Sequence, residues 1–182
     1  GERASPQGVA DRLRGVGARL LGDRSQSRRP AGADPEAWLA EASLGGAPVL
    51  LLKPLAFMNR SGAPLARVLA ARGARASDLV VIVDDVALPL GAVRVRPAGR
   101  HGGHNGLRSV IEELGTEDFA RVRVGVRGGE LPAELADYVL AEPPAEEAAL
   151  LEGALCRAAD AVECLVREGL AAAMDRFNAR RA

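Results

Sequence analysis

Lysine is almost missing from this chain: Lys53 is the only one, so arginine supplies nearly every positive charge. The arginine total therefore says little about nucleic acid; only clustering can. Histidine is as scarce, limited to His101 and His104. Cys156 and Cys164 are the only cysteines and share a segment of strong helical pattern. Eight helical residues span about 12 Å, which excludes a disulfide between them. They read as small apolar residues of a reducing compartment. No spacing of Cys, His and acidic residues resembles a ligand set, so no metal is expected. Aromatic residues are few, three Phe with one Trp and one Tyr. No apolar run approaches the roughly 20 residues that cross a bilayer. No charged-then-apolar secretory leader is present either, so a cytoplasmic protein with no membrane partner is expected. The chain begins at Gly1 rather than Met, which leaves open that its true N-terminus was lost.

Net charge is zero, but the charges are unevenly spread. Between residues 94 and 127 seven arginines (Arg94, Arg96, Arg100, Arg108, Arg121, Arg123, Arg127) stand against four acids. Over 130–168 ten acids stand against Arg157 and Arg167. This asymmetry predicts a basic face near residues 94–127 and an acidic face elsewhere. The 182 residues, 48% hydrophobic and 26% charged, suit one soluble domain with a full core.

Hydrophobic periodicity orders the elements. Val9, Leu13, Val16 and Leu20 have helical spacing over 8–21, and the Arg/Ser/Pro/Gly-rich 22–34 reads as an exposed loop. Ala37–Leu44 and Pro48–Pro54 flank Gly45-Gly46 as a hairpin, with Val49–Leu52 apolar enough for a strand buried on both faces. A helix carrying Leu65, Val68 and Leu69 starts near Asn59 and Ser61 and ends near Gly73. Leu79–Val83 is an apolar strand finishing at Asp84-Asp85. Val93–Arg96 and Arg121–Val126 alternate as strands. Leu107–Leu114 is a short helix stopped by Gly115. Beyond Pro143-Pro144 the chain is helical almost to its end, with Leu151, Leu155, Ala158, Val162 and Leu165 on one face. No internal repeat or second domain is visible. The expected fold class is α/β, one domain over 1–182 with a sheet and helices on both faces.

The most informative stretch is His101-Gly102-Gly103-His104-Asn105-Gly106-Leu107-Arg108. Glycines let backbone approach a ligand, and a helix start beyond them offers N–H groups to an oxygen-rich substrate. In open α/β sheets ligands sit beyond the carboxyl ends of strands. Asn59, Asp84, His104 and Asn105 all fall at such positions, and together suit a hydrolytic site. Each also has a plainer reading: Asn59 as a helix N-cap, Asp84 or Asp85 as a turn residue, His104 as a donor fixing its own loop.

The combination is distinctive. Phe57-Met58-Asn59-Arg60-Ser61-Gly62, Asp84-Asp85 with Leu88-Pro89-Leu90-Gly91, Gly102-Gly103-His104-Asn105-Gly106-Leu107-Arg108 and Arg121-Val122-Arg123-Val124-Gly125 occur in this order. From about residue 37 to the end, including Val139-Leu140 and Pro143-Pro144, the chain resembles bacterial-type peptidyl-tRNA hydrolases. The resemblance implies a twisted mixed sheet and hydrolysis of the ester joining a stalled peptide to the terminal ribose of tRNA. Such cleavage needs a base for water and donors for the oxyanion. By resemblance, Asp84 is the carboxylate that orients the base histidine. Asn59 and Asn105 contact the peptide end or the tRNA 3′ terminus, with Phe57 beside them, and His104 supports substrate placement. Arg96 and Arg123 meet tRNA phosphates. With so few aromatics, backbone contact suits this face better than base stacking. The resemblance further implies a monomer that needs no metal or organic cofactor and has peptidyl-tRNA as its partner.

One part of the pattern is missing. The family opens with Gly-x-Gly-Asn-Pro-Gly and then Thr-Arg-His-Asn-x-Gly, which carry the base histidine and a further asparagine. Neither occurs here; residues 1–7 stand where the second motif should end, and Gly8–Leu13 looks like the helix that follows it. Arg100 stands where the family has glycine. The expectation is a sheet without its first strand, Asp84 with no base to orient, and a loss of about 10²–10⁴ in rate. Three readings stay open: a truncated or misread hydrolase, a non-catalytic RNA-binding relative, and a small-molecule phosphorylase or hydrolase, which would need a phosphate loop that is not found.

Overall fold

The computed structural model describes residues 34–129 and 144–179. The expected helix over 8–21, most of the loop 22–34, the expected loss of the first strand and the Val139-Leu140 stretch lie outside the described residues. Strands β1 (Ala37–Leu44), β2 (Ala47–Pro54), β3 (Val80–Pro89), β4 (Val93–Arg96) and β5 (Ala120–Arg127) alternate with helices α1 (Gly62–Arg72), α2 (Asn105–Leu114), α3 (Ala145–Glu168) and α4 (Leu170–Asn178). Two 3₁₀ turns, Met58–Arg60 and Ala76–Asp78, complete the order. The elements fall into two compact units. One takes in the described residues up to Val81 together with Arg96–Arg121; the other takes in Ile82–Val95 and the described residues from Val122 on.

In the first unit β1 and β2 form an antiparallel hairpin, register Leu44↔Ala47 through Ala37↔Pro54. Gly45 and Gly46 turn at φ 59° and 88°. Two successive positive φ values are what a two-residue turn matched to strand twist requires, hence the glycine pair. Ala37 and Leu39 pack with Val68 of α1, and Leu50 and Leu52 lean on that cluster. Val49–Leu52 is half-buried rather than buried on both faces, because a two-stranded ribbon has a single covered side. Helix α1 stops at Gly73, φ 61°, where the N–H groups of Gly73 and Ala74 return to the carbonyls of Ala70 and Leu69. That paired closure satisfies carbonyls the helix leaves open.

The three-stranded sheet has the order β3-β5-β4. Leu79 C=O accepts from Ala120 N–H at the start of β3 and β5, and Leu90 N–H donates to Arg127 C=O at their ends, so these strands run in parallel. With the antiparallel hairpin this makes the chain α/β with mixed pairing. Val122, Val124 and Val126 of central β5 are buried, as are Val93 and Val95 of β4. β3 runs on to Pro89 instead of ending at Val83, so Asp84 and Asp85 lie inside the strand. Gly125 explains part of this: a Cβ there would stand 2.0 Å from the Pro89 carbonyl oxygen. Its missing side chain lets the Leu88–Gly91 corner close on β5, where Gly125 N–H donates to Ala92 C=O at 2.7 Å.

The C-terminal helical stretch breaks at Gly169, φ 93°, into α3 and α4. Arg176 bridges the break with paired bonds to Glu168 at 2.8 and 2.9 Å. Leu151, Leu155, Ala158 and Val162 are buried as the periodicity predicts, while Leu165 is half-buried. Neither cysteine forms a disulfide, and burial pushes the Cys164 thiol up.

Candidate functional site

The glycine loop is organised around its two imidazoles. Gly102 and Gly103 take φ 55° and 88°, which turns the chain back so that His104 N–H donates to His101 C=O at 2.9 Å. Gly103 N–H donates to His101 Nδ1 at 3.1 Å. His104 is the N-cap of α2, its Nδ1 accepting from Leu107 N–H at 3.1 Å. The helix thus begins at Asn105, two residues before the periodicity predicts, because an imidazole caps it. Each Nδ1 lone pair is used by a backbone donor, so each neutral ring carries its proton on Nε2. His104 consequently has donor rather than base character, and its Nδ1 fixes the helix start as an acceptor. Asn105 is exposed in the first turn of α2.

The Phe57-Met58-Asn59 segment lies in the same unit. It forms the 3₁₀ turn, closed by Arg60 N–H to Phe57 C=O at 2.8 Å and by Ser61 Oγ to Met58 C=O at 2.9 Å. Asn59 is exposed in that turn and is not the N-cap of α1; Ser61 holds that position without a side-chain cap bond. Phe57 is 80% exposed. The turn packs on the start of α2, since a Cβ on Gly106 would stand 2.7 Å from Met58 Sδ and 2.9 Å from His104 Cε1. One step deeper, buried Ser109 accepts Gly62 N–H at 3.0 Å, and a Cβ on Gly62 would stand 2.2 Å from the Ser109 carbonyl oxygen. Ser109 escapes sequence reading; its one signal is a hydroxyl among the apolar positions of α2. Glycines 62 and 106 let α1, the turn and α2 meet, and so Phe57, Asn59, His104 and Asn105 stand on adjoining elements.

Beside the turn is a shallow depression of about 260 Å³ lined by Glu36, Leu55, Ala56, Phe57 and Arg60. Glu36 is paired there with Arg67, which also bonds Asp34 and holds the Asp34 carboxyl below its usual range.

Arg121 does not belong to the basic face. It is 2% exposed and donates to the carbonyls of Gly99, Arg100 and Glu117, with the Phe119 ring centroid 4.4 Å from its guanidinium carbon. Alternation along β5 sets this arginine on the face opposite Val122, Val124 and Val126, where backbone oxygens and a ring face take up its charge. Arg96, also in this unit, is half-buried at the end of β4.

In the other unit Asp84 is buried, 8% exposed, within β3. Its neighbour Asp85 pairs with Arg123 and accepts Ala87 N–H at 2.9 Å. Of the two acids left open by sequence, Asp85 therefore has a structural role, closing the strand corner and neutralising Arg123. Among the described residues no cluster of three or more His, Cys, Asp or Glu could hold a metal, and no helix is long and apolar enough to cross a membrane.

A sequence model of the peptidyl-tRNA hydrolase family matches residues 18–182. The chain belongs to the peptidyl-tRNA hydrolase family. Relatives bearing that name include a Rubrobacter xylanophilus protein, 50% identical over 141 residues that cover 78% of this chain and 76% of the relative. Another, from Symbiobacterium thermophilum, is 45% identical over 142 residues, covering 78% and 72%. Among solved structures, peptidyl-tRNA hydrolase from Acinetobacter baumannii matches with a TM-score of 0.80 at 24% identity, over 98% of this chain and 89% of that one. A peptidyl-tRNA hydrolase crystallised with N-propanol matches equally well, with a TM-score of 0.80 at 23% identity. At such identity these structures establish the fold, and the fold is the α/β architecture of this hydrolase family.

Proposed function

We propose that the Phe57–Asn59 turn and the His104–Asn105 helix start bind the acylated 3′ end of peptidyl-tRNA, the substrate whose ester the family hydrolyses. The observation that carries this reading is the packing of Met58 and His104 against Gly106, which joins the two motifs in one unit. Asn59 and Asn105 offer exposed carboxamides to the peptide end or the terminal ribose and Phe57 an apolar surface, while His104 supports substrate placement by setting the start of α2. Asp84 is assigned as the carboxylate that orients the base histidine of the family. Arg96 and Arg123 are assigned to tRNA phosphates, Arg123 with its charge already shared with Asp85. The protein is taken as a single-domain cytoplasmic monomer.

Neither imidazole of the 182 residues is suited to act as base, since both Nδ1 atoms accept backbone N–H groups. This favours a second reading for the chain as it stands: it binds tRNA and catalyses poorly. The test uses an acceptor-stem hairpin ending in an amide-linked acyl-aminoacyl group, alongside authentic peptidyl-tRNA. Binding of the hairpin is expected, weakened about tenfold by Asn59→Ala or Asn105→Ala. Hydrolysis is expected to fall about 10²–10⁴ below that of a full-pattern family member. No preference for the acylated end sinks the site assignment; normal turnover by this chain sinks the claim of impaired catalysis.

A further inference from the structure

We infer that Arg121 is a positioning residue for the acyl-end site, holding both feet of the loop and helix that carry His104 and Asn105. The inference rests on the proposed role of those two residues. Gly99 and Arg100 immediately precede the glycine loop, and Glu117 follows α2; the Arg121 guanidinium donates to the carbonyls of all three. One buried group thus ties the chain entering this excursion, from Gly99 to Glu117, to the chain leaving it.

The residue type matters. Carbonyls on two sides need donors held apart in a rigid plane, which a guanidinium has and an ammonium lacks. The plane also lies over Phe119, 4.4 Å from the ring centroid to the guanidinium carbon. A charge at 2% exposure is costly unless so surrounded, and cationic side chains at that depth are rare. Between the two feet the loop relies on short-range bonds: His104 N–H to His101 C=O, Gly103 N–H to His101 Nδ1, and Leu107 N–H to His104 Nδ1. These fix the shape of the loop, while farther along the buried Ser109 hydroxyl ties α2 to α1 by accepting Gly62 N–H. Arg121 supplies the tie between the start of the loop and the chain beyond α2, and through it the setting of the His104 ring.

The experiment exploits the presence of only two histidines, whose imidazole nitrogens give two resolvable systems in a ¹H–¹⁵N long-range spectrum. In the wild-type chain both neutral rings are expected to carry their proton on Nε2 alone. Arg121→Lys keeps the charge and loses the fork; Arg121→Gln loses both. Expected for the lysine variant are a cooperative melt, a mixture of His104 tautomers, and affinity for the acylated hairpin reduced about tenfold. Affinity for the same hairpin ending in a bare hydroxyl should change less than about twofold, which loss of fold would not allow. A folded Arg121→Lys with an unaltered His104 signature and unaltered acyl-end affinity overturns the proposal. So does failure of both variants to fold, which would make Arg121 a scaffold group only. A wild-type chain indifferent to the acylated end overturns the functional reading instead, and the imidazole signature then judges Arg121 by itself.

Discussion

Met58 Sδ lies 2.7 Å from the point a Cβ on Gly106 would occupy, so the Phe-Met-Asn turn and the His-Asn-Gly helix start are in contact only because residue 106 has no side chain. Gly106→Ala is therefore informative. Alanine raises helix propensity by about 1 kcal/mol, while the atoms in its way are Met58 Sδ, on a flexible side chain, and Cε1 of the His104 ring, whose shift weakens a cap worth about as much. Little net change in melting temperature is expected. The displaced His104 ring and turn should lower acyl-end affinity about tenfold and alter the His104 imidazole signature. A variant that binds as the parent does would mean that this contact has no part in the site.

At the sheet edge, Asn178 of α4 bonds the Val95 backbone twice, accepting its N–H at 2.8 Å and donating to its C=O at 3.0 Å. The carboxamide stands in for a neighbouring strand on β4, the edge of the three-stranded sheet. Asn178→Ala leaves both backbone groups without that partner and should cost about 1–3 kcal/mol. Asn178→Leu, which keeps volume, should lose a similar amount; thermal unfolding of both variants checks this. A stable leucine variant would attribute the effect to packing instead.

Acid sensitivity follows from three carboxylates paired with arginines. Arg67 holds the Asp34 carboxyl below its ordinary value, Arg75 does so for Asp78, and Arg176 for Glu168. Because each folded-state value is depressed, the unfolded chain binds more protons in the acid range. The stabilisation is complete above the ordinary carboxylate range and is lost as pH falls through the depressed values. Melting temperature should be flat toward neutrality and decline below about pH 4, with a smaller decline at high salt because the arginines of these pairs are exposed. The double variant Asp34→Asn, Glu168→Gln should flatten the acid limb; an unchanged slope would contradict the assignment.

Much of the architecture is legible from local chemistry. Gly45-Gly46 declares its hairpin, Gly73 and Gly115 end their helices, and the alternation in Arg121–Val126 gives β5. The expected boundaries fail where a distant residue intervenes. β3 continues past Asp85 because Gly125, some 40 positions later, accepts the Leu88–Gly91 corner. Helix α2 starts early because an imidazole, not one of the usual capping side chains, closes it. Arg121 looks like one more cation in a basic stretch, and only its surroundings reveal a buried anchor.

Which residue types are present was decided by the sequence: two imidazoles, carboxamides at Asn59 and Asn105, the acidic pair at Asp84-Asp85, and the motif order that marks the family. Those identities and spacings are local properties of the chain. Tertiary structure alone decided that Met58 meets Gly106, that Asp85 takes Arg123, and that both Nδ1 atoms are already occupied. Burial, hydrogen-bond partnership and tautomer depend on what packs against a group, and that is set by residues far away along the chain.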